Sequence, residues 1–185
     1  LYTMKTLFFI LLIFLSLSTY SQLQRFGGGL LFSSGVEFNN GETGNPGLFG
    51  QAYVKIADRM NLVPSLSVYN RYKKKTTTEE LKNYMFQTDL NVQYGVFRQD
   101  QLRISLLGGL NFTGLISRYE KIVEVGQQGL DNRSEMQLGA NVGAVLEMFI
   151  NDYYDAIFSA RYIAGEWDQV VISLGVVYFL DRQYR

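Results

Sequence analysis

The stretch Tyr84–Tyr94, YMFQTDLNVQY, decides the fold, because apolar and polar residues alternate along it with a period of two. Side chains of an extended strand point alternately to its two faces. One face therefore carries Tyr84, Phe86, Thr88, Leu90, Val92 and Tyr94, and the opposite face carries Met85, Gln87, Asp89, Asn91 and Gln93. The pattern predicts a β-strand with one apolar and one polar side.

The same alternation recurs along most of the chain, and no helical periodicity persists after residue 22. The predicted strands are Phe26–Ser34, Leu48–Ile56, Leu62–Tyr72, Tyr84–Tyr94, Leu102–Thr113, Met136–Glu147, Tyr154–Tyr162 and Val170–Leu180. The connections between them are expected at about 36–46, 58–61, 73–82, 95–101, 117–132, 150–152 and 163–168. Long and short connections alternate, apart from a shorter final one. The sequence thus predicts a single all-β domain of eight strands.

The residue types on the two faces favour a barrel in a membrane. The polar faces are rich in Gly, Ser, Asn and Gln, which suits a crowded interior where polar groups bond to one another. Tyr84 and Tyr94 lie about 25 Å apart along the membrane normal if the strand is tilted near 40°, and this is the height of the apolar band between two aromatic girdles. Tyr154 and Tyr162 give about 20 Å. We therefore predict an eight-stranded antiparallel up-and-down transmembrane β-barrel.

The first residues are typical of an export signal. Met4 and Lys5 precede an apolar run from Leu7 to Leu17, and small residues surround a cleavage position after Ser21. The run is shorter than the roughly 20 residues that a membrane-spanning helix needs. We expect a cleaved signal peptide over residues 1–21 and a barrel over residues 22–185.

The composition excludes some classes of function. Lys plus Arg and Asp plus Glu both number 17, so no strong field exists to attract nucleic acid. The chain has no Cys, and an exported protein of this size must then be held together without disulfides. The segment Asn39–Asn45 lacks the register of carboxylates found in calcium loops. We expect neither a metal nor a cofactor.

The last predicted strand resembles the C-terminal insertion signal of outer-membrane proteins. Ser173, Gly175, Tyr178 and Leu180 occupy the polar, glycine, aromatic and hydrophobic places of that signal, although the chain continues to Arg185. The whole mature chain resembles the eight-stranded outer-membrane barrel families, OmpA/OmpX-like and PorT-like. The resemblance implies the outer membrane of a Gram-negative bacterium, insertion by the barrel-assembly machinery and, for the PorT-like proteins, an association with secretion.

Charged residues on the predicted polar faces are the most specific feature of the interior. Strand pairing through the predicted connections sets Arg103 beside Glu147, and Glu147 beside Asp155. We expect Arg103 to bridge the two carboxylates, since they otherwise repel each other in a poorly hydrated lumen. Lys55, Asp89, Arg71 and Arg161 are expected to complete a balanced interior network. A structural core network is one interpretation, and a gated or proton-linked plug is the other.

A cationic cluster follows the third predicted strand. Arg71, Lys73, Lys74 and Lys75 lie where the chain leaves the membrane, and they are candidates for contact with lipopolysaccharide phosphates. A solvated loop is the alternative. The longer loops are the expected interaction surface, for a protein or glycan partner that the sequence does not identify.

Three other functions compete with a non-enzymatic outer-membrane interaction protein. A soluble lipocalin-like ligand-binding barrel shares the alternation but turns its apolar face inward. A lipid A-modifying barrel enzyme is disfavoured because the chain has no His, no Cys and no GxSxG motif. A general porin is disfavoured because side chains such as Tyr53 and Tyr69 would fill an eight-stranded barrel. We expect no catalytic residues.

Overall fold

The computed structural model describes residues 23–39, 42–70, 72–75, 79–121 and 130–180. The predicted signal peptide lies outside the described residues and stays a prediction. The regular structure of the described part is entirely strand. In that part no helix is long and apolar enough to cross a membrane.

Nine strand segments form the sheet. They are β1 (Leu23–Asn39), β2 (Glu42–Ala57), β3 (Met60–Tyr69), β4 (Tyr72–Lys75), β5 (Glu79–Gln99), β6 (Leu102–Lys121), β7 (Leu130–Asn151), β8 (Tyr154–Gly165) and β9 (Gln169–Phe179). Segments β3 and β4 both pair with β5, so together they make one barrel strand. The other pairings join neighbours in the sequence, and β1 pairs with β9 to close the sheet. The predicted eight-stranded antiparallel up-and-down barrel is confirmed.

The two faces of the sheet have the predicted polarity. On β5, Gln87, Asp89 and Asn91 point inward and are almost completely buried, whereas Leu90 and Tyr94 point outward with about half of their surfaces exposed. A lipocalin-like barrel would have the opposite orientation, with its apolar residues lining the lumen. That alternative is wrong for this chain, because the exterior is the apolar surface and only lipid suits such a surface.

Aromatic residues collect on the exterior at the end where β1 begins and β9 ends, which is called here the end with the termini. Tyr154 and Tyr178 are opposite each other on β8 and β9, with ring centroids 5.3 Å apart. Tyr153 stacks on Tyr178 from the neighbouring turn, at 6.4 Å. Amphipathic rings favour the boundary between lipid and water, so this cluster marks one edge of the apolar band.

The strands are longer than the alternation predicted, and the connections are correspondingly shorter. Strands β5, β6 and β7 have 21, 20 and 22 residues, and together with β4 they include 15 of the 26 residues expected as loops at 73–82 and 117–132. The turn expected at 95–101 is reduced to Asp100 and Gln101, with a bulge between Gly95 and Phe97. The expected loop at 36–46 is also mostly strand. Beyond the bilayer, backbone pairing can continue without an apolar face, so these parts of the strands lack the alternation that would predict them.

Candidate functional site

A polar layer crosses the middle of the barrel and is centred on Asp89. Its Oδ1 accepts hydrogen bonds from the Nδ2 atoms of Asn111 at 2.6 Å and Asn141 at 3.0 Å. Its Oδ2 accepts one from Ser65 Oγ at 3.0 Å, and Arg161 Nη2 lies 2.9 Å away. The side chain of Asp89 is buried, so an opposite charge and several donors are needed to compensate for its loss of water. Five barrel strands contribute to this one layer.

A second charged cluster lies nearer the end that carries the termini. Glu147 Oε2 accepts hydrogen bonds from Arg25 Nη1 at 2.6 Å and from Arg103 Nη1 at 2.9 Å. The guanidinium of Arg25 also lies over the Tyr53 ring, 4.0 Å from its centroid. Arg25 and Glu147 are almost fully buried, whereas about a fifth of the Arg103 side chain is exposed. Arg103 therefore lies between this buried cluster and the open chamber at the end with the termini, which is described below.

The structure places several of the predicted interior charges as follows. Arg103 and Glu147 are opposite each other on β6 and β7, as the predicted connections required. Asp155 is buried in the same region, but it is opposite Phe149 rather than Glu147. The β7–β8 turn lies at 152–153 rather than being centred within the predicted 150–152, and this moves Asp155 two residues toward the barrel end relative to Glu147. The adjacency of Glu147 and Asp155 in the predicted register is thus wrong.

The sequence prediction missed Arg25. It directly precedes Phe26, where the predicted first strand began, although β1 already starts at Leu23. Its inward position follows from the alternation that Gly27, Gly29 and Leu31 continue along the same face. Extending the strand by two residues would have been enough to find it.

Lys55 does not belong to the buried network. It lies near the end of β2, where its Nζ is 3.6 Å from Asp58 Oδ1, and about half of its side chain is exposed. The strand end is open to water, so the lysine remains solvated and its expected place in the balanced interior is wrong. Arg71 lies outside the described residues. Lys73, Lys74 and Lys75 form most of β4, and only their backbone belongs to the described part.

Apolar layers separate the charged ones. One apolar layer lies on the side of Glu147 and consists of Tyr53, Val63, Ile157, Val177 and Phe179. The other lies beyond Asp89, has Trp167 packed against it, and consists of Leu31, Tyr69, Met85, Ile163 and Val171. The lumen of the described barrel is therefore a packed core rather than a pore. Below it, at the end with the termini, a chamber of about 1300 Å³ is open to the outside.

At the opposite end the sheet rises unevenly above the barrel. The pairing of β7 with β8 ends at Gly139 and Gly165, but β7 continues to pair with β6 as far as Leu130. Nine residues of an extended strand span about 30 Å. Strands β4, β5, β6 and β7 form a protruding sheet at this end, defined here as β4 together with 79–83 of β5, 117–121 of β6 and 130–134 of β7, because Tyr84, Ile116 and Ser134 are opposite one another at its base. Along Leu130–Leu138, β6 is the one neighbour of β7 among the described residues.

The predicted insertion signal occupies the last barrel strand. Ser173 and Gly175 face the lumen, and Tyr178 and Leu180 face outward with about 40% and 47% of their surfaces exposed. No group of three or more potential metal-ligating side chains occurs among the described residues.

Comparisons with known proteins identify the fold. No protein-family model matches the sequence, and no curated protein matches it. The chain is similar to several solved structures, and three of them each align with 86% of it. Ail from Yersinia pestis, in complex with the heparin analogue sucrose octasulfate, is 12% identical over 99% of its chain, with a TM-score of 0.62. The N-terminal β-barrel domain of OprF from Pseudomonas aeruginosa is 18% identical over its full length, with a TM-score of 0.56.

The third, the outer-membrane protein OprG from Pseudomonas aeruginosa, is 10% identical over 96% of its chain, with a TM-score of 0.55. At identities of 10–18% the similarity is one of fold alone. The apolar exterior of the barrel agrees with that fold. The chain has the fold of the eight-stranded outer-membrane β-barrels.

Proposed function

We propose that this chain is a non-enzymatic protein of a Gram-negative outer membrane, in which the barrel is an anchor and the protruding sheet binds a partner outside the cell. The observation that carries the proposal is the contrast between the closed lumen of the barrel and the open edge of the protruding sheet. The barrel lumen is packed, so it offers no path for a solute. The protruding sheet is built at the end away from the termini, which is the extracellular end in barrels whose termini lie in the periplasm.

The edge of the protruding sheet fits an extended protein segment. A strand with a neighbour on only one side presents backbone donors and acceptors that another chain can pair with, and recognition by strand addition uses them. Ser134 on this stretch of β7 is exposed, whereas Met136 and Leu138 below it continue the lipid-facing side of the strand, with 62% and 77% of their surfaces exposed. Backbone pairing along 130–134 would therefore hold the added segment. A secretion-associated role, as the resemblance to PorT-like proteins implies, would be one form of such binding.

Site-specific crosslinking in the native bacterium tests this function. A photo-crosslinking amino acid at Ser134 is expected to give a discrete adduct with another protein. The same amino acid at Leu110, which lies on the lipid-facing side of the barrel and is 65% exposed, is the matched control and is expected to give no protein adduct. Replacement of 118–132 by Asn-Gly, which shortens the β6–β7 hairpin and keeps Ser117 opposite Arg133, should remove the Ser134 adduct. Identical patterns at both positions would contradict the proposal.

A second candidate ligand is a polyanion at the other edge of the protruding sheet. Edge strand β4 consists of Tyr72, Lys73, Lys74 and Lys75, and the similar barrel Ail is known in complex with a heparin analogue. Three adjacent cations on one short strand favour phosphate or sulfate groups at this edge, whether of lipopolysaccharide or of an external polysaccharide.

Elution from immobilised heparin and from immobilised lipopolysaccharide checks the second candidate. We expect replacement of Lys73, Lys74 and Lys75 by Gln to lower the salt concentration at which the protein elutes, because fewer counterions are released on binding. Replacement of the same three residues by Arg keeps the charge and should leave elution nearly unchanged. Loss on heparin alone would identify an external polysaccharide as the ligand, and loss on lipopolysaccharide alone would identify the membrane's own lipid. Unchanged elution of the Gln variant on both would exclude this site.

A further inference from the structure

The chamber at the end with the termini lies on the opposite side of the barrel from the protruding sheet. The turns at Asp58–Arg59 and Asp100–Gln101 surround it, and Arg103 and Glu147 lie at its inner end. Its volume of about 1300 Å³ is large enough for a small-molecule ligand, since such sites usually measure about 300–1000 Å³. The chamber is thus accessible from the periplasm if the barrel has the usual orientation.

Five cations and four carboxylates of the described residues line the chamber. Arg59 and Lys55 belong to the β2–β3 hairpin, and Arg98 and Arg103 belong to the β5–β6 hairpin, so four of the cations lie on one side. The two hairpins contact each other directly, because Gly95 N donates a hydrogen bond to Arg59 O at 2.8 Å. The buried carboxylates Glu147 and Asp155 lie on the adjoining strands β7 and β8, and Glu147 is opposite Arg103. Asp58 and Asp100 are at the exposed turn tips, and Lys55 pairs with Asp58.

Two features of this cationic side are unfavourable for the fold alone. Arg98 and Arg103 are directly opposite each other in the β5–β6 register, and like charges in that position destabilise a sheet. Arg59 has a φ of 66°, in the left-handed region that Gly and Asn occupy more readily than a long side chain does.

Arg103 is also held in a defined orientation. Glu147 Oε2 accepts one hydrogen bond from its Nη1 at 2.9 Å, and a guanidinium has five N–H donors in all. Its partial exposure lies on the chamber side, since both Arg103 and Glu147 line the chamber. A guanidinium fixed from behind by a carboxylate presents its remaining donors as a planar fork, which matches the geometry of phosphate and carboxylate groups.

We propose that the chamber binds a ligand that bears a phosphate or carboxylate oxyanion, held by Arg98 and Arg103 with Arg59 at the entrance. Glu147 acts as a positioning residue for Arg103 and does not touch the ligand. Arg25 balances the charge of Glu147 from the buried side. This site is independent of the protruding sheet.

Calorimetric titration of the mature protein in dodecyl maltoside, an uncharged detergent, tests the site. The probes are inorganic pyrophosphate, citrate and dihexanoyl phosphatidylglycerol, added separately at low ionic strength. We expect saturable binding of at least one probe with one site per barrel. Arg98→Gln and Arg103→Gln should each weaken it about tenfold or more, as the loss of one charge-assisted hydrogen bond predicts. Lys121→Gln removes the same charge from β6 at the other end, where Lys121 is opposite Glu79, and should have no effect.

Each outcome has a consequence for the proposal. Binding of pyrophosphate or citrate would identify a soluble oxyanion as the ligand, and binding of phosphatidylglycerol alone would identify a lipid headgroup. Absence of saturable binding of all three probes would overturn the site. An equal loss in Lys121→Gln would do so too, because it would show that the probe is attracted by charge without binding at a specific place. If Arg103→Gln does not fold, Arg98→Gln decides alone, since Arg98 is exposed and its replacement leaves the core intact.

Discussion

Replacement of Glu147 by glutamine is expected to destabilise the barrel by about 3–5 kcal/mol, because it leaves two arginines without their shared carboxylate. Glu147 Oε2 accepts hydrogen bonds from both Arg25 and Arg103. The Arg25 side chain is 3% exposed, so its charge cannot regain water when the carboxylate is lost. Glutamine has nearly the same shape as glutamate, and the effect therefore reports charge rather than packing.

Urea unfolding of the mature protein in lipid vesicles, followed by gel mobility without heating, measures this effect. Glu166→Gln is the matched control, since Glu166 is exposed in the short connection between β8 and β9, and we expect its midpoint to change little. Joint replacement of Arg25 and Arg103 by Met together with Glu147→Leu should recover much of the stability, because apolar groups of similar volume can replace a buried ion pair. A Glu147→Gln midpoint equal to that of the unmodified protein would refute the structural importance of this cluster.

Replacement of Gly29 by alanine is expected to cost about 3 kcal/mol, the upper end of the range for overpacking in a core. Gly29 lies on the inner face of β1, opposite Gly175 of β9. A Cβ atom there would overlap the carbonyl oxygen of Leu174 and lie 2.5 Å from Gly175 Cα. Both obstacles are backbone atoms, so no rotation of a side chain can relieve them, and the closure of the sheet between β1 and β9 would have to shift.

Gly50 offers a matched control in the same hairpin. It lies on the outer face of β2, opposite Gly28, and a Cβ atom there would meet no atom within 4 Å. Alanine at Gly50 is expected to leave stability unchanged or to raise it by about 0.5–1 kcal/mol, since glycine weakens a strand by that amount. The urea midpoint of Gly29→Ala should thus fall, whereas that of Gly50→Ala should stay the same or rise. Equal midpoints would show that the contact between β1 and β9 is looser than described.

The barrel was predictable from the sequence because the bilayer imposes a simple rule on every strand that crosses it. Outward residues must be apolar and inward ones can be polar, so stretches such as Tyr84–Tyr94 alternate without interruption. The same rule allowed the facing pair Arg103 and Glu147 to be found, since both lie on polar faces of strands joined by a short turn. It gave no information about strand segments outside the bilayer, and for that reason the protruding sheet was expected as loops.

The sequence by itself determined the fold class, the strand number and the inward or outward direction of most side chains, because these follow from a period of two within single strands. Only the tertiary structure decided which residues meet across the lumen. The contact between Arg25 and Glu147 joins residues that are 122 positions apart, and the offset of Asp155 comes from the position of the β7–β8 turn at 152–153. The chamber and the protruding sheet likewise depend on the residues at which the pairing of neighbouring strands ends. Barrel closure and strand register set these ends, and no local sequence pattern does.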